Sequence, residues 1–294
     1  MSSSPPDLAV FVAAVAEHGR ELYRDFPWRR THDPYEVLVS EVMLQQTQVS
    51  RVAARYEDWL ADFPTLDALA AAPLEAVLRS WQGLGYNRRA IALKRAAEQV
   101  VADHAEKHLP GAPSLPDDEA ALRALPGVGP ATAAGVLAFA FGRPAVYLET
   151  NVRAVFLHEL FSDRDGVPDR EIVPLVFAAV EEAGRQGIQP REWYYALLDY
   201  GAHLKRTLPN PSRRSAHHAP QSRFEGSRRQ KRAWLLRSVI AEPGRSSGDY
   251  ALELAEAERR AGRPVPSEDE VASILESLAA EGFLTGDGDR WFVA

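Results

Sequence analysis

Two glutamates in this chain of 294 residues stand where a carboxyl group could do chemistry. Glu41 lies in "SEVMLQQTQ", residues 40–48, and Glu149 in "VYLETNVRAV", residues 146–155. Two carboxyl groups in unlike surroundings can divide proton donation and charge stabilisation between them. Around Glu41 the pattern is helical, with Val37 and Leu38 one turn back and Leu44 and Gln45 one turn on. Apolar neighbours disfavour the charged form and keep a proton available. The plainer alternative is a surface glutamate on an amphipathic helix. Glu149 follows an apolar run and opens a second helical pattern. It is either half of a catalytic pair or a helix N-terminal residue that complements the dipole.

A different chemistry is written at "LPGVG", residues 125–129, between two amphipathic helical patterns. Gly127 and Gly129 permit a tight turn and a close backbone approach to a bulky group. The amides that open the second helix, near Thr132, carry partial positive charge and suit a phosphate. Leu125, Gly127, Val128, Gly129 and Thr132 are therefore candidate contacts to a nucleic-acid backbone. The net charge of -7 argues against such a partner, but its distribution argues for one. Residues 201–240 hold ten Lys/Arg and one acid, Glu225. Arg213 and Arg214 in that stretch are candidate phosphate contacts. A solvated basic loop is the alternative.

The elements that must place these groups are mainly helical. Helical periodicity covers residues 9–26, 32–48, 51–63, 65–81, 87–105 and 117–125. The second of these has a start signal: Asp33 can cap, Pro34 fits the first helical position, and Glu36 stands three after the cap. No strand pattern of any length precedes residue 280. Residues 206–227 turn to Pro, Ser, Arg and His and predict a basic linker. It separates a first domain, 7–205, from a small module, 228–294, with helices predicted at 228–241, 249–261 and 267–282. Two short strands, "FLT" and "RWFV", flank the turn "GDGD" and complete a winged-helix-like pattern. Its third helix opens Ser-Glu-Asp-Glu, a poor surface for phosphates, so a packing or protein-contact role is expected. The N-terminus lacks a signal-peptide pattern and no apolar run reaches about 20 residues, so a cytoplasmic protein without membrane spans is expected. The absence of cysteine excludes disulfides, thiolate zinc sites and a cysteine-ligated cluster. His217 and His218 are adjacent, poor spacing for one metal, and read as polar loop residues. No metal site is expected.

"SEVMLQQTQ", "WQGLGYNRRA", "LPGVGPATA" and "ETNVRAV" occur in an order and spacing that resemble the helix-hairpin-helix DNA glycosylases of the endonuclease III superfamily. Within them the nearest likeness is to the MutY-like adenine DNA glycosylases. The resemblance covers roughly residues 20–205, and "SEVMLQQTQ" is far more specific than the hairpin. It implies a two-lobed helical fold with a cleft between lobes, and a monomer acting on double-stranded DNA with a mispaired or damaged base. It also implies that Glu41 handles proton transfers, that Glu149 takes the place of the family's catalytic aspartate, and that Asn151 supports the site. A glutamine of the Gln45–Gln46 run and Tyr86 would enter the base stack around an extruded base. A structural monovalent cation at the hairpin is expected only with DNA bound, and no other cofactor.

The chain also departs from the resemblance. Glu149 is one methylene longer than aspartate, and a displacement of roughly 1 Å can cost about a hundredfold in rate. Asn87 follows Tyr86 where the family often has a second tyrosine. Ala131 stands where endonuclease III enzymes carry a lysine nucleophile, which favours a monofunctional glycosylase. The four-cysteine cluster loop is replaced by the basic stretch, and the tail does not show the domain that usually reads 8-oxoguanine. Three expectations follow: a glycosylase for adenine opposite 8-oxoguanine or guanine, a glycosylase for another base, or a DNA-damage binding protein that no longer cleaves.

Overall fold

The computed structural model of the chain describes residues 7–217 and 223–294. Helix α1, Leu8–Glu21, starts on the Asp7 carboxylate, which accepts from the amides of Ala9 and Val10. It stops short of the predicted Phe26. The Arg24 amide is instead donated to the buried Asp199 carboxylate (3.2 Å), a tertiary bond that competes with helix continuation. Helix α2, Pro34–Leu44, begins as its signal predicts, with the Asp33 side chain accepting from Tyr35 and Glu36 amides. The predicted 51–63 helix is two pieces, α3 (Val49–Ala53) and α4 (Tyr56–Asp62). Pro73 likewise divides the 65–81 pattern into α5 (Leu66–Ala71) and α6 (Leu74–Ser80), because it removes an amide donor. The long α7 (Arg88–Glu106) precedes the hairpin helices α8 (Glu119–Ala124) and α9 (Pro130–Phe139). Then come α10 (Thr150–Glu159), α11 (Asp169–Arg185) and α12 (Pro190–Thr207).

These helices form two lobes. Helices α2–α9 pack together, while α1 joins α10–α12, and α9 meets α12 between them. Trp59 and Trp81 centre the first lobe's core and Trp193 and Phe156 the second, all fully buried. Three glycines let helices cross at close range. Gly19 on α1 faces Ala196, Gly135 on α9 faces Glu41, and Gly201 on α12 faces Asn151. A Cβ at any of the three would collide with its neighbour, so these positions set how closely the functional helices approach.

The first half of the predicted linker, residues 206–216, is built into the second lobe. Helix α12 runs to Thr207, and a 3-10 turn at Pro211–Arg214 follows, with Pro211, Ser212 and Ser215 buried. Arg214 O accepts from Val167 N (3.0 Å), and Val167 O accepts from Ala216 N (3.0 Å). His217 is exposed, and His218 lies outside the described residues. After residue 222 come α13 (Arg228–Ala241), α14 (Ser247–Arg260), α15 (Glu268–Ala280) and an antiparallel pair, β1 (Leu284–Asp287) and β2 (Arg290–Val293). This unit rests on the first lobe. Arg88 pairs with Glu281 (2.5 Å), and Arg79 donates to the carbonyl of Ile240 (3.3 Å). At the acidic start of α15, Glu268 and Asp269 are exposed and Glu270 accepts from Lys231 (2.8 Å).

Candidate active site

The cleft between the lobes encloses about 520 Å³ and is lined by both glutamates. Glu41 enters from α2, five residues after Glu36 in the first turn. Its carboxyl group sits over Gly135 of α9, where any side chain would strike Oε2. The buried hydroxyl of Tyr147 is its hydrogen-bond partner. Burial in this apolar seat, opposed by a smaller lowering from the Tyr147 bond and aided by the charge of Glu149, takes the Glu41 carboxyl up to about 8. At neutral pH Glu41 holds a proton.

Glu149 enters from the other lobe as the N-cap of α10. Its Oε1 accepts from the amides of Asn151 (2.5 Å) and Val152 (3.0 Å), and its Oε2 accepts from Asn151 Nδ2 (3.3 Å). Lys205 of α12 donates to Asn151 Oδ1 (3.0 Å). Burial raises the Glu149 carboxyl above its usual range. The Val152 amide, the Lys205 charge and the Asn151 groups pull it back. Both readings of Glu149 thus describe one residue: it caps a helix and faces the cleft. The helix amides favour its anionic form.

Three cationic groups flank the floor. Arg24 and Arg29 line the cleft, each tied to Asp199, Arg24 at 2.5 Å and Arg29 through two bonds of 2.7 and 2.9 Å. Arg29 also lies over the Tyr195 ring, 4.3 Å from its centroid. Lys205 is the third. Ala131 lines the cleft too, whereas Asn87 stands outside that lining, at the start of α7.

The expected DNA-facing residues divide. Gln46 and Tyr86 are exposed and hold left-handed backbones, φ 52° and 48°, a conformation that costs a side-chain-bearing residue about 1–2 kcal/mol. One guanidinium braces both loops. Arg89 donates to the carbonyls of Val42 (2.7 Å), Gln45 (2.5 Å) and Gly85 (3.0 Å), and to Thr47 Oγ1 (2.9 Å). Its burial lowers the guanidinium to about 10. Gln45 points inward instead, donating to Thr132 Oγ1 (3.0 Å) in the cleft lining. Thr132 is buried, and its hydroxyl serves Gln45 rather than the surface.

At the hairpin the side chains of Leu125 and Val128 are core residues, and the Val128 amide donates to Leu125 O (3.2 Å). What they contribute is the course of the turn. Gly127, φ 75°, presses on α7, and a Cβ there would come 2.6 Å from that of Ala92. Gly129 is open around its missing Cβ and caps α9 without a side chain, leaving the first amides of α9 without intrahelical partners. Arg213 is exposed, but Arg214 donates to the carbonyls of Phe161 (3.2 Å) and Ser162 (2.7 Å), so it clamps the lobe.

Residues 39–174, which span hairpin, Glu41 and Glu149, match the family described as HhH-GPD superfamily base excision DNA repair protein. Those residues form an HhH-GPD domain. It is 36% identical over 196 residues to the adenine DNA glycosylase of Mycobacterium tuberculosis strain CDC 1551 / Oshkosh, covering 58% of this chain and 62% of that one. It is 30% identical over 288 residues to the human adenine DNA glycosylase, covering 88% of this chain and 50% of that one. The chain thus matches between half and two thirds of the length of these relatives. A thermostable thymine-DNA glycosylase structure superposes with a TM-score of 0.56 at 25% identity, over 66% of this chain and 86% of that one.

The resemblance noted in the sequence implies a four-cysteine cluster loop at residues 204–232, of which 218–222 lie outside the described residues. The residues here do not fit such a group. There is no thiolate, Ser212 and Ser215 are buried, and the segment closes on Val167 by backbone bonds. Among the described residues no cluster of His, Asp and Glu is placed to hold a metal ion. Four contributors escape sequence reasoning: Tyr147, Gly135, Arg89 and Lys205. Tyr147 was within reach, two residues before Glu149 in the same short stretch. Lys205 was not, since 54 residues separate it from its partner Asn151.

Proposed function

We propose that this chain is a monofunctional DNA N-glycosylase of base excision repair that hydrolyses the N-glycosidic bond of adenine mispaired with 8-oxoguanine or guanine. The observation that carries this reading is two carboxyl groups in unlike surroundings facing one cleft, Glu41 over Gly135 beside the Tyr147 hydroxyl and Glu149 on the α10 amides. The Glu41 proton goes to a nitrogen of the extruded adenine, which makes the base a better leaving group. The C1′–N bond breaks, its electron pair leaves with the base, and the positive charge left on the sugar meets Glu149. Water adds its oxygen at C1′ and returns a proton to Glu41. Asn151 supports Glu149. Ala131 supplies no amine for a covalent step.

In this reading the first amides of α9 take a backbone phosphate, a monovalent cation joins the hairpin only in the DNA-bound state, and Arg213 adds to the backbone contacts. Gln46 and Tyr86 enter the stack beside the extruded base. The protein acts as a monomer in the cytoplasm. Residues 228–294 form a separate module whose role is packing or protein contact. The test is single-turnover base release from a labelled duplex with adenine opposite 8-oxoguanine, followed by hot alkali. Strand breaks after alkali only are expected. No break with this duplex or with adenine opposite guanine would reject the substrate. The likeness to a thymine-DNA glycosylase structure makes mispaired thymine the first alternative base to try.

A further inference from the structure

We infer that Lys205 is a positioning residue for Glu149, acting through the side chain of Asn151. This deepens the glycosylase reading and rests on it. The chain of contacts runs from the Lys205 ammonium to Asn151 Oδ1 (3.0 Å), and from Asn151 Nδ2 to Glu149 Oε2 (3.3 Å). Lysine has only donors and an ionised carboxylate only acceptors. An amide placed between them therefore has one satisfactory orientation, oxygen toward the lysine and nitrogen toward the glutamate. Lys205 fixes that orientation. Without it, only the carboxylate's own demand for a donor would oppose a flip that aims the amide oxygen at Glu149.

The backbone explains why a residue so distant in sequence arrives there. Gly201 of α12 lies against the Asn151 backbone, so that a Cβ would meet its carbonyl oxygen and come 2.8 Å from its Cα. Lys205 is four residues on, on the same face of α12. The helix crossing that Gly201 permits is what lays the lysine over Asn151. Glu149 is faced by Glu41 from α2, by Tyr147 from the preceding segment, by the Asn151 and Val152 groups of α10 and by Lys205 from α12. Arg24 and Arg29, which share the cleft, are committed to Asp199. Lys205 is thus the cation in the cleft that acts on Glu149 to favour its charged form.

Single-turnover base release across pH would be compared for wild type, K205M and K205R, alongside duplex affinity. For K205M the acidic limb of the profile should move to higher pH, with a roughly ten- to hundredfold lower rate near pH 6 and recovery as pH rises. K205R should keep the limb near its original place, and duplex affinity should change little. An unmoved limb with weakened duplex binding would make Lys205 a phosphate contact instead. Borohydride trapping of wild type on DNA that K205M abolishes would make it a nucleophile. Carboxyl NMR titration of Glu149 reads the same coupling without turnover. K205M should raise its titration midpoint even if no duplex tried is a substrate, and an unchanged midpoint would overturn the inference while leaving the glycosylase reading intact.

Discussion

The two walls of the cleft present the same side chain in opposite company. On the α2–α9 wall Glu41 meets apolar groups, a glycine and a tyrosine hydroxyl, and no cation contributes to its raised titration. On the α10–α12 wall Glu149 meets two helix amides, an asparagine and, through it, a lysine. Desolvation raises both; one hydroxyl opposes it at Glu41, whereas two amides, an asparagine and a lysine charge oppose it at Glu149. In the proposed mechanism, residue type therefore does not decide which carboxyl donates a proton and which carries charge. The wall behind it does.

The sharpest break in this contrast is Glu41→Gln, which removes the proton and keeps the shape. Base release should fall on the order of a thousandfold, with duplex affinity retained in a binding assay. Near-normal release would dissolve the distinction between the walls. Glu149→Gln should cost about a hundredfold, because the cap shape persists while the charge is lost. Glu149→Asp should stay within about tenfold in either direction, since aspartate is also a good N-cap. A collapse of Glu149→Asp would mean that the wall is built around the longer side chain. Gly135→Ala drives a methyl into Glu41 and to 3.1 Å from the Tyr147 ring. It should lower the rate by roughly tenfold to a hundredfold and stability by about 1–3 kcal/mol, read by denaturant titration.

The smallest effect concerns stability alone. Glu41 titrates near 4.5 when unfolded and about 8 when folded. The unfolded chain releases that proton first, so wild-type stability falls as pH rises from 4.5 towards 8. Glu41→Gln escapes this loss. Its advantage over wild type should be absent at pH 4 and reach on the order of 2 kcal/mol at pH 8, a discounted figure because the cleft admits water.

Much of the first wall was legible in the sequence. Asp33, Pro34 and Glu36 announce α2 with local chemistry, and the spacing of Val37, Leu38 and Leu44 shows Glu41 an apolar face. Helix α13 takes its predicted bounds, Arg228–Ala241. The second wall was legible only in part. Glu149 and Asn151 stand two residues apart and share a cap, but Lys205 arrives through a helix crossing that no local pattern records. Long-range bonds also overrode local signals elsewhere. Asp199 ends α1 early by taking the Arg24 amide, and Val167 draws residues 214–216 out of a predicted linker and onto the second lobe. The inward turns of Gln45 and Arg214 depend on partners 87 and 52 residues away.

The most direct test of the central claim is the pH dependence of single-turnover base release by the wild-type protein on its duplex, from pH 5 to 10. A proton held by Glu41 and a charge held by Glu149 give a bell-shaped profile whose alkaline limb has its midpoint near pH 8, and Glu41→Gln has no such limb. A wild-type rate that stays level or climbs between pH 7 and 10 would contradict the account, because Glu41 would then be working as an anion.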